Sequence, residues 1–108
     1  MVVYEVNLKV ENDIYDAYRD WLLEHIEQML KFDGFSGYNL SINTEHQDGF
    51  KLLTVWYYLE TMTALDDYLE NHSKEMRDDG VKKFGNKFSA SRRIFEVDKC
   101  YVEKMIVS

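Results

Sequence analysis

The sequence predicts an α+β fold, a ferredoxin-like βαββαβ sandwich in which two helices cover one face of a four-stranded antiparallel sheet. Three observations predict it. Four short segments carry strand patterns, and two longer ones space their apolar residues by threes and fours. Their order is strand, helix, strand, strand, helix, strand. No proline, linker or low-complexity stretch divides them, and right-handed crossovers turn two βαβ units into this sandwich.

The first element is VVYEVNLKV, residues 2–10, where Val2, Tyr4, Val6, Leu8 and Val10 share one face and Val3, Glu5, Asn7 and Lys9 the other. Asn12 or Asp13 then offers a helix cap. From Asp13 to about Lys31, the positions Ile14, Ala17, Tyr18, Trp21, Leu22, Ile26, Met29 and Leu30 form an amphipathic stripe, with Gly34 as the stop. FSGYNLSIN, residues 35–43, alternates through Tyr38, Leu40 and Ile42. The polar run 44–49 is a turn, in which His46 is expected to be solvated.

FKLLTVWYYL, residues 50–59, is almost continuously apolar, the mark of a strand buried on both faces. Thr61 or Thr63 can cap a second helix carrying Met62, Leu65, Tyr68, Leu69 and Met76, with Gly80 ending or bending it. The last strand runs from about Lys87 to Val97. These elements make a single domain over residues 1–97. The tail, 98–108, ends in Met-Ile-Val and is apolar enough to dock.

Composition excludes several function classes. Twenty acids against 13 bases give a formal net charge of −7. That is poor material for displacing counterions from phosphates, so no nucleic acid is expected. No run of eighteen apolar residues exists to span a membrane, and the start lacks a basic signal-peptide region; the expected location is the cytoplasm. The single Cys100 excludes an intramolecular disulfide and a cysteine metal cluster, and reads as a small, half-buried apolar residue.

Two helices cover only one sheet face, yet the third strand asks for burial on both. In a chain this short the expected cover is a second copy, a homodimer packed sheet to sheet. Glu5, Asn7 and Lys9 on that face predict a partly polar interface.

The order of elements, the turn Gly34-Phe35-Ser36-Gly37 and Thr54-Val55-Trp56 in the third strand resemble the dimeric α/β-barrel superfamily, which includes antibiotic-biosynthesis-type and haem-degrading monooxygenases. More closely, Trp21, His25, Ile26, Met29, Tyr68, His72, Phe84 and Arg92 resemble an uncharacterised family of small bacterial domains within that fold, over about residues 2–97. The resemblance implies a fold and a dimer but no reaction. Asn7, Trp56 and His72 are similar in type to the Asn, Trp and His of haem-degrading members. The positions depart from that pattern: Trp56 is on a strand, and Tyr68 stands where the family tryptophan would be. No cofactor is therefore expected.

One short signature occurs twice: WLLEH at residues 21–25 and YLENH at 68–72, an aromatic, a leucine and then a histidine four positions on. At about 100° per residue, His25 and His72 fall within the apolar stripes of their helices. Two accounts stand open. Each imidazole is a satisfied core group, with Tyr4, Tyr18, Tyr57, Tyr58 and Tyr68 as partners on offer. Or both line a cavity between helices and sheet, as general base or ligand anchor.

A metal site would need a third ligand, and Glu24 and Glu27 point sideways from the stripe, so no metal is expected. Arg92 and Arg93 fall on opposite sheet faces. One of them lies beside apolar side chains and either pairs with Glu5 or Glu96 or anchors an anionic ligand.

The candidate ligand-binding set is His25, His72, Tyr68, Arg92 and Trp21, in a homodimer that binds a small aromatic or anionic molecule. One alternative is a filled-core dimer that contacts other proteins through acidic helix faces (Asp16, Asp20, Glu24 and Asp66, Asp67, Glu70). Another is an enzyme like the cofactor-independent monooxygenases.

Overall fold

The computed structural model describes residues 1–45 and 47–103. The elements are β1 (Val2–Glu11), a 3₁₀ turn (Asn12–Ile14), α1 (Tyr15–Met29), β2 (Phe35–Ile42), β3 (Phe50–Leu59), α2 (Met62–Asn71), α3 (Ser73–Phe84) and β4 (Phe88–Glu96). The sheet order is β2-β3-β1-β4 and every neighbouring pair is antiparallel. This is the ferredoxin-like arrangement expected from the element order.

The register sorts the residues into two faces. Val6 lies opposite Val55 and Arg92, and Leu8 opposite Leu53 and Ala90, so these residues share the helix-covered face. Glu5 lies opposite Trp56 and Arg93 on the other face. The core between sheet and helices is filled by Tyr4, Leu8, Val10, Val55, Tyr57 and Leu59 from the sheet and by Tyr18, Leu22, Ile26, Met29, Leu65 and Tyr68 from the helices. All are buried.

Three local expectations change. The turn Asn12–Ile14 leads into α1 without a side-chain cap, because Asp13 instead pairs with Lys87 at 2.6 Å. Thr61 does cap α2, accepting the Ala64 N–H at 3.1 Å. The second helical segment breaks at His72 (φ −130°, ψ −25°), where Ser73 Oγ donates back to the Leu69 carbonyl at 2.7 Å. Gly80 therefore lies inside α3 and does not end a helix.

Gly34 holds the turn after α1 at φ +84°, and a Cβ there would collide with Ala64 Cβ. His46 lies outside the described residues, as do Met105–Val107, on which the expected docking of the tail rests. Tyr101, Val102 and Cys100 are exposed. The expected half-burial of Cys100 fails, since the residue stands exposed after β4. No helix among the described residues is long and apolar enough to cross a membrane.

Candidate functional site

The space between α1, α3 and β4 holds a cleft of about 280 Å³. Tyr18 and Trp21 reach it from α1, Arg77 from α3, and Phe88 and Arg92 from β4. This size approaches the low end of small-molecule pockets. One wall is aromatic: Tyr18 packs on Phe88 (5.0 Å between centroids), Phe84 (5.1 Å) and Trp21 (5.4 Å). Trp21 is fixed at both ends. Its ring lies against Gly80, and its Nε1 donates to Asp79 Oδ2 at 2.9 Å.

Beneath the cleft lining, in the core, is a floor of buried tyrosines; of the buried tyrosines only Tyr18 lines the cleft itself. Tyr4 stacks on Tyr57 (6.2 Å) and tilts against Tyr68 (6.1 Å). The Tyr4 hydroxyl accepts from Arg77 Nη2 at 3.0 Å. Tyr18, Tyr57 and Tyr68 are only 1, 2 and 3% exposed. Their hydroxyls make no hydrogen bond to protein among the described residues, yet no fully enclosed side-chain polar atom there lacks a partner. The little surface these residues keep therefore includes the hydroxyl oxygens, which face open space rather than packed atoms.

Burial pushes all three hydroxyls well above the ordinary phenol range, and the Arg92 guanidinium opposes that rise at each of them. They stay protonated at neutral pH and can donate. The mutual influence of Tyr57 with Tyr4, Tyr18 and Tyr68 places the four hydroxyls in one neighbourhood.

The predicted residues divide. Trp21 and Arg92 line the cleft, and Tyr68 joins the tyrosine floor. His25 stacks on Trp21 (4.6 Å, 25°), behind the aromatic wall. Burial pushes its imidazole down to about 4; the Asp79 carboxylate opposes this and the Arg92 charge adds to it. It is neutral at pH 7. His72 sits elsewhere, stacked on Phe32 (4.5 Å, 28°), with its side chain 41% exposed and Nε2 3.9 Å from Asp67 Oδ2. The two histidines are not brought to one site, because the break at His72 turns that residue out of the stripe. Neither makes a hydrogen bond to a tyrosine among the described residues.

Arg77, Tyr4, Tyr18 and Tyr57 were outside the candidate ligand-binding set, the three tyrosines being named from sequence as partners for the histidines. Arg77 projects off the apolar stripe when the second helix is drawn unbroken at about 100° per residue. No group of three His, Cys, Asp or Glu side chains among the described residues could hold a metal ion. A larger groove of about 620 Å³ along α2 and α3 is lined by charged and amide side chains, including the paired Lys74 and Asp78 (2.8 Å), and has no aromatic wall.

The outer sheet face carries a second cluster. Glu5, 4% exposed, accepts from Trp56 Nε1 (2.8 Å), Asn7 Nδ2 (2.9 Å) and Arg93 Nε (2.6 Å). Asn7 Oδ1 in turn accepts from Thr54 Oγ1 at 2.8 Å. The Arg93 hydrogen bond holds the Glu5 carboxyl down at about 2 against the opposing effect of burial, with Trp56 and Asn7 adding to it. Glu5, and not Glu96, is thus the partner of the sheet arginine. Trp56 and Phe95 flank the cluster, 40 and 38% exposed.

Comparison with known proteins agrees with the fold. A candidate antibiotic biosynthesis monooxygenase from Deinococcus radiodurans is 18% identical, with a TM-score of 0.71 over 97% of this chain and all of that one. SnoaB, a cofactor-independent oxygenase from Streptomyces nogalater, is 11% identical, with a TM-score of 0.68 over 94% of this chain and 98% of that one. A de novo designed protein matches as well, with 13% identity, a TM-score of 0.58 and coverage of 89% of this chain and 97% of that one. At these identities the likeness is one of fold, and a designed chain among the matches underlines that the fold alone carries no activity. A search of curated proteins returns no match. Residues 1–98 match the family model for a domain of unknown function, DUF4286, and the chain belongs to that family.

Proposed function

We propose that the chain is a homodimeric small-molecule-binding protein, with the ligand in the cleft between α1, α3 and β4. The observation that carries this reading is the Tyr18 hydroxyl on the cleft wall, buried with its residue yet bonded to no protein atom among the described residues. A filled core would have closed over it or paired it. The aromatic wall of Tyr18, Trp21 and Phe88 supplies apolar contact area, and a few convergent polar groups supply orientation, the usual make-up of a ligand site.

Dimerisation would use the outer sheet face. Trp56 and Phe95 offer exposed aromatic surface there. Between them the Glu5 carboxylate is already bonded on both oxygens, so covering it costs little desolvation. The cleft and this face lie on opposite sides of the sheet, so the two roles do not compete.

The test is a thermal-shift screen of the full chain against small aromatic compounds, repeated with a Leu8→Trp variant that fills the cleft. A stabilising compound whose effect disappears in the variant supports the reading. A compound that still stabilises Leu8→Trp binds elsewhere and sinks it. If no compound shifts the wild type, the reading gives way to the filled-core interaction dimer, whose contact surface would be the exposed acidic faces of α1 and α2. Oxygenation of the bound compound, the chemistry of the cofactor-independent oxygenase SnoaB, is read in the same experiment by product analysis under air.

A further inference from the structure

We infer that the ligand of this cleft is an anion, a planar aromatic or enolic carboxylate or oxyanion, held between the guanidinium groups of Arg77 and Arg92 beside the Tyr18 hydroxyl. This rests on the cleft reading above and names the chemistry that the cleft selects.

The protein is strongly acidic, with 20 acids and 13 bases, so its carboxylates compete for any cation that a ligand would use. Arg93 takes Glu5 (2.6 Å), Lys87 takes Asp13 (2.6 Å) and Lys74 takes Asp78 (2.8 Å). Arg77 and Arg92 both line the cleft, and among the described residues neither forms an ion pair. The acid on that wall, Asp79, is held by Trp21 Nε1.

Arg77 arrives from α3 and is aimed by its bond to the Tyr4 hydroxyl. Arg92 arrives from β4, on the helix-covered face, where its register neighbour is Val6. It lies close enough to influence Tyr18, Tyr57, Tyr68 and His25 together. The two cations and the Tyr18 hydroxyl thus reach one recess from three elements, α3, β4 and α1. Its charged side chains are both positive, beside the Ser89 hydroxyl and the apolar Leu8, Val81 and Ala90. His25, behind the wall, is neutral and adds no competing charge.

An oxyanion satisfies all of them at once. The guanidinium fork matches a carboxylate in two hydrogen bonds, and a phenol O–H donates a further one. A flat apolar body completes the fit by lying against Tyr18, Trp21 and Phe88, where it can stack. A neutral ligand would leave both exposed guanidinium groups to water and gain neither charge-assisted bond, which favours the anion.

The experiment uses matched probes on the full chain: benzoate and 2-naphthoate against benzamide and 2-naphthamide, which keep shape and remove charge. Binding is read by calorimetry and by amide shifts in a nitrogen-15 spectrum. At least one carboxylate is expected to bind tenfold or more tightly than its amide and to shift the amides of Trp21, Phe88 and Arg92. Arg92→Gln, which removes no protein partner, is expected to cost the carboxylate about tenfold and leave the amide unchanged. Arg77→Gln is expected to do the same, with Tyr4 released as a side effect.

If amide and carboxylate bind equally, and the Gln variants do not separate them, the anion inference is overturned while the cleft reading stands. If no probe shifts these amides, both are overturned. If the carboxylates bind with shifts confined to Lys74, Lys82 and their neighbours in the α2–α3 groove, the anion site is misplaced and the inference also falls.

Discussion

Trp21 and Gly80 are fitted to one another. The indole of Trp21, on α1, lies flat against the backbone of α3 at the one position with no side chain, and a Cβ on Gly80 would come within 2.8 Å of its Cη2. The neighbouring Asp79 accepts the indole N–H, so Gly80 and Asp79 together set where the aromatic wall of the cleft stands. A glycine in mid-helix costs about 1 kcal/mol relative to alanine, so this one is kept against helix propensity.

Gly80→Ala is therefore expected to destabilise. The propensity gain of about 1 kcal/mol is outweighed by an overpacking cost of roughly 1–3 kcal/mol, for a net loss near 1 kcal/mol. Urea unfolding gives the sign, and the tryptophan emission maximum is expected to move as the ring is displaced. A variant more stable than wild type with unchanged emission would show that the ring has room the structure does not give it.

Gly34→Ala is expected to cost more, because nothing offsets it. The φ of +84° is strained for a residue with a Cβ, at about 1–2 kcal/mol, and that Cβ collides with Ala64. The total is roughly 2–4 kcal/mol. Ala64→Gly in the same chain is expected to recover part of the loss, since it removes the collision and leaves the backbone strain. Additive losses from the two substitutions would contradict the contact.

His25 gives the protein a pH dependence with a defined window. Its folded pKa of about 4 lies below the ordinary imidazole value of 6.5. The unfolded chain therefore takes up the proton first as pH falls. The neutral ring's contribution is complete above about 6.5 and is lost progressively as pH drops toward 4, by at most about 3 kcal/mol. His25→Phe, which keeps a ring on Trp21, is expected to flatten stability between pH 7 and 5 by roughly 1–2 kcal/mol. An unchanged slope in that interval would assign the titration to another group.

Glu5 titrates in a lower window, since its carboxyl, at about 2, sits below the ordinary 4.5. Its contribution is present above about 4.5 and fades as pH falls toward 2, so the two windows overlap only between about 4 and 4.5.

Phe95→Glu tests the proposed dimer with little risk to the fold, because Phe95 is 38% exposed on an edge strand. Sedimentation velocity is expected to show a dimer for wild type and a monomer for the variant at the same micromolar concentration, with unchanged circular dichroism. A monomeric wild type would end the proposal without reference to the variant.

The periodicities of the chain determined its fold class, since period two and period 3.6 are local properties that each segment writes for itself. Alternation alone sent Arg92 and Arg93 to opposite faces and put Val3, Glu5, Asn7 and Lys9 on the outer one. It left two partners open for the sheet arginine, and the register of β1 with β4 chose Glu5. The repeated aromatic-leucine-histidine signature found the two helices, but the break at His72 separated its histidines, because helical phase does not carry across a non-helical residue. That same break brought Arg77 onto the cleft from a position that an unbroken helix would have turned away. The cleft itself was beyond sequence: Tyr4, Tyr18, Tyr57, Tyr68, Arg77 and Arg92 come from six elements, and only the strand order β2-β3-β1-β4 with its two helical crossovers brings their polar ends to one place.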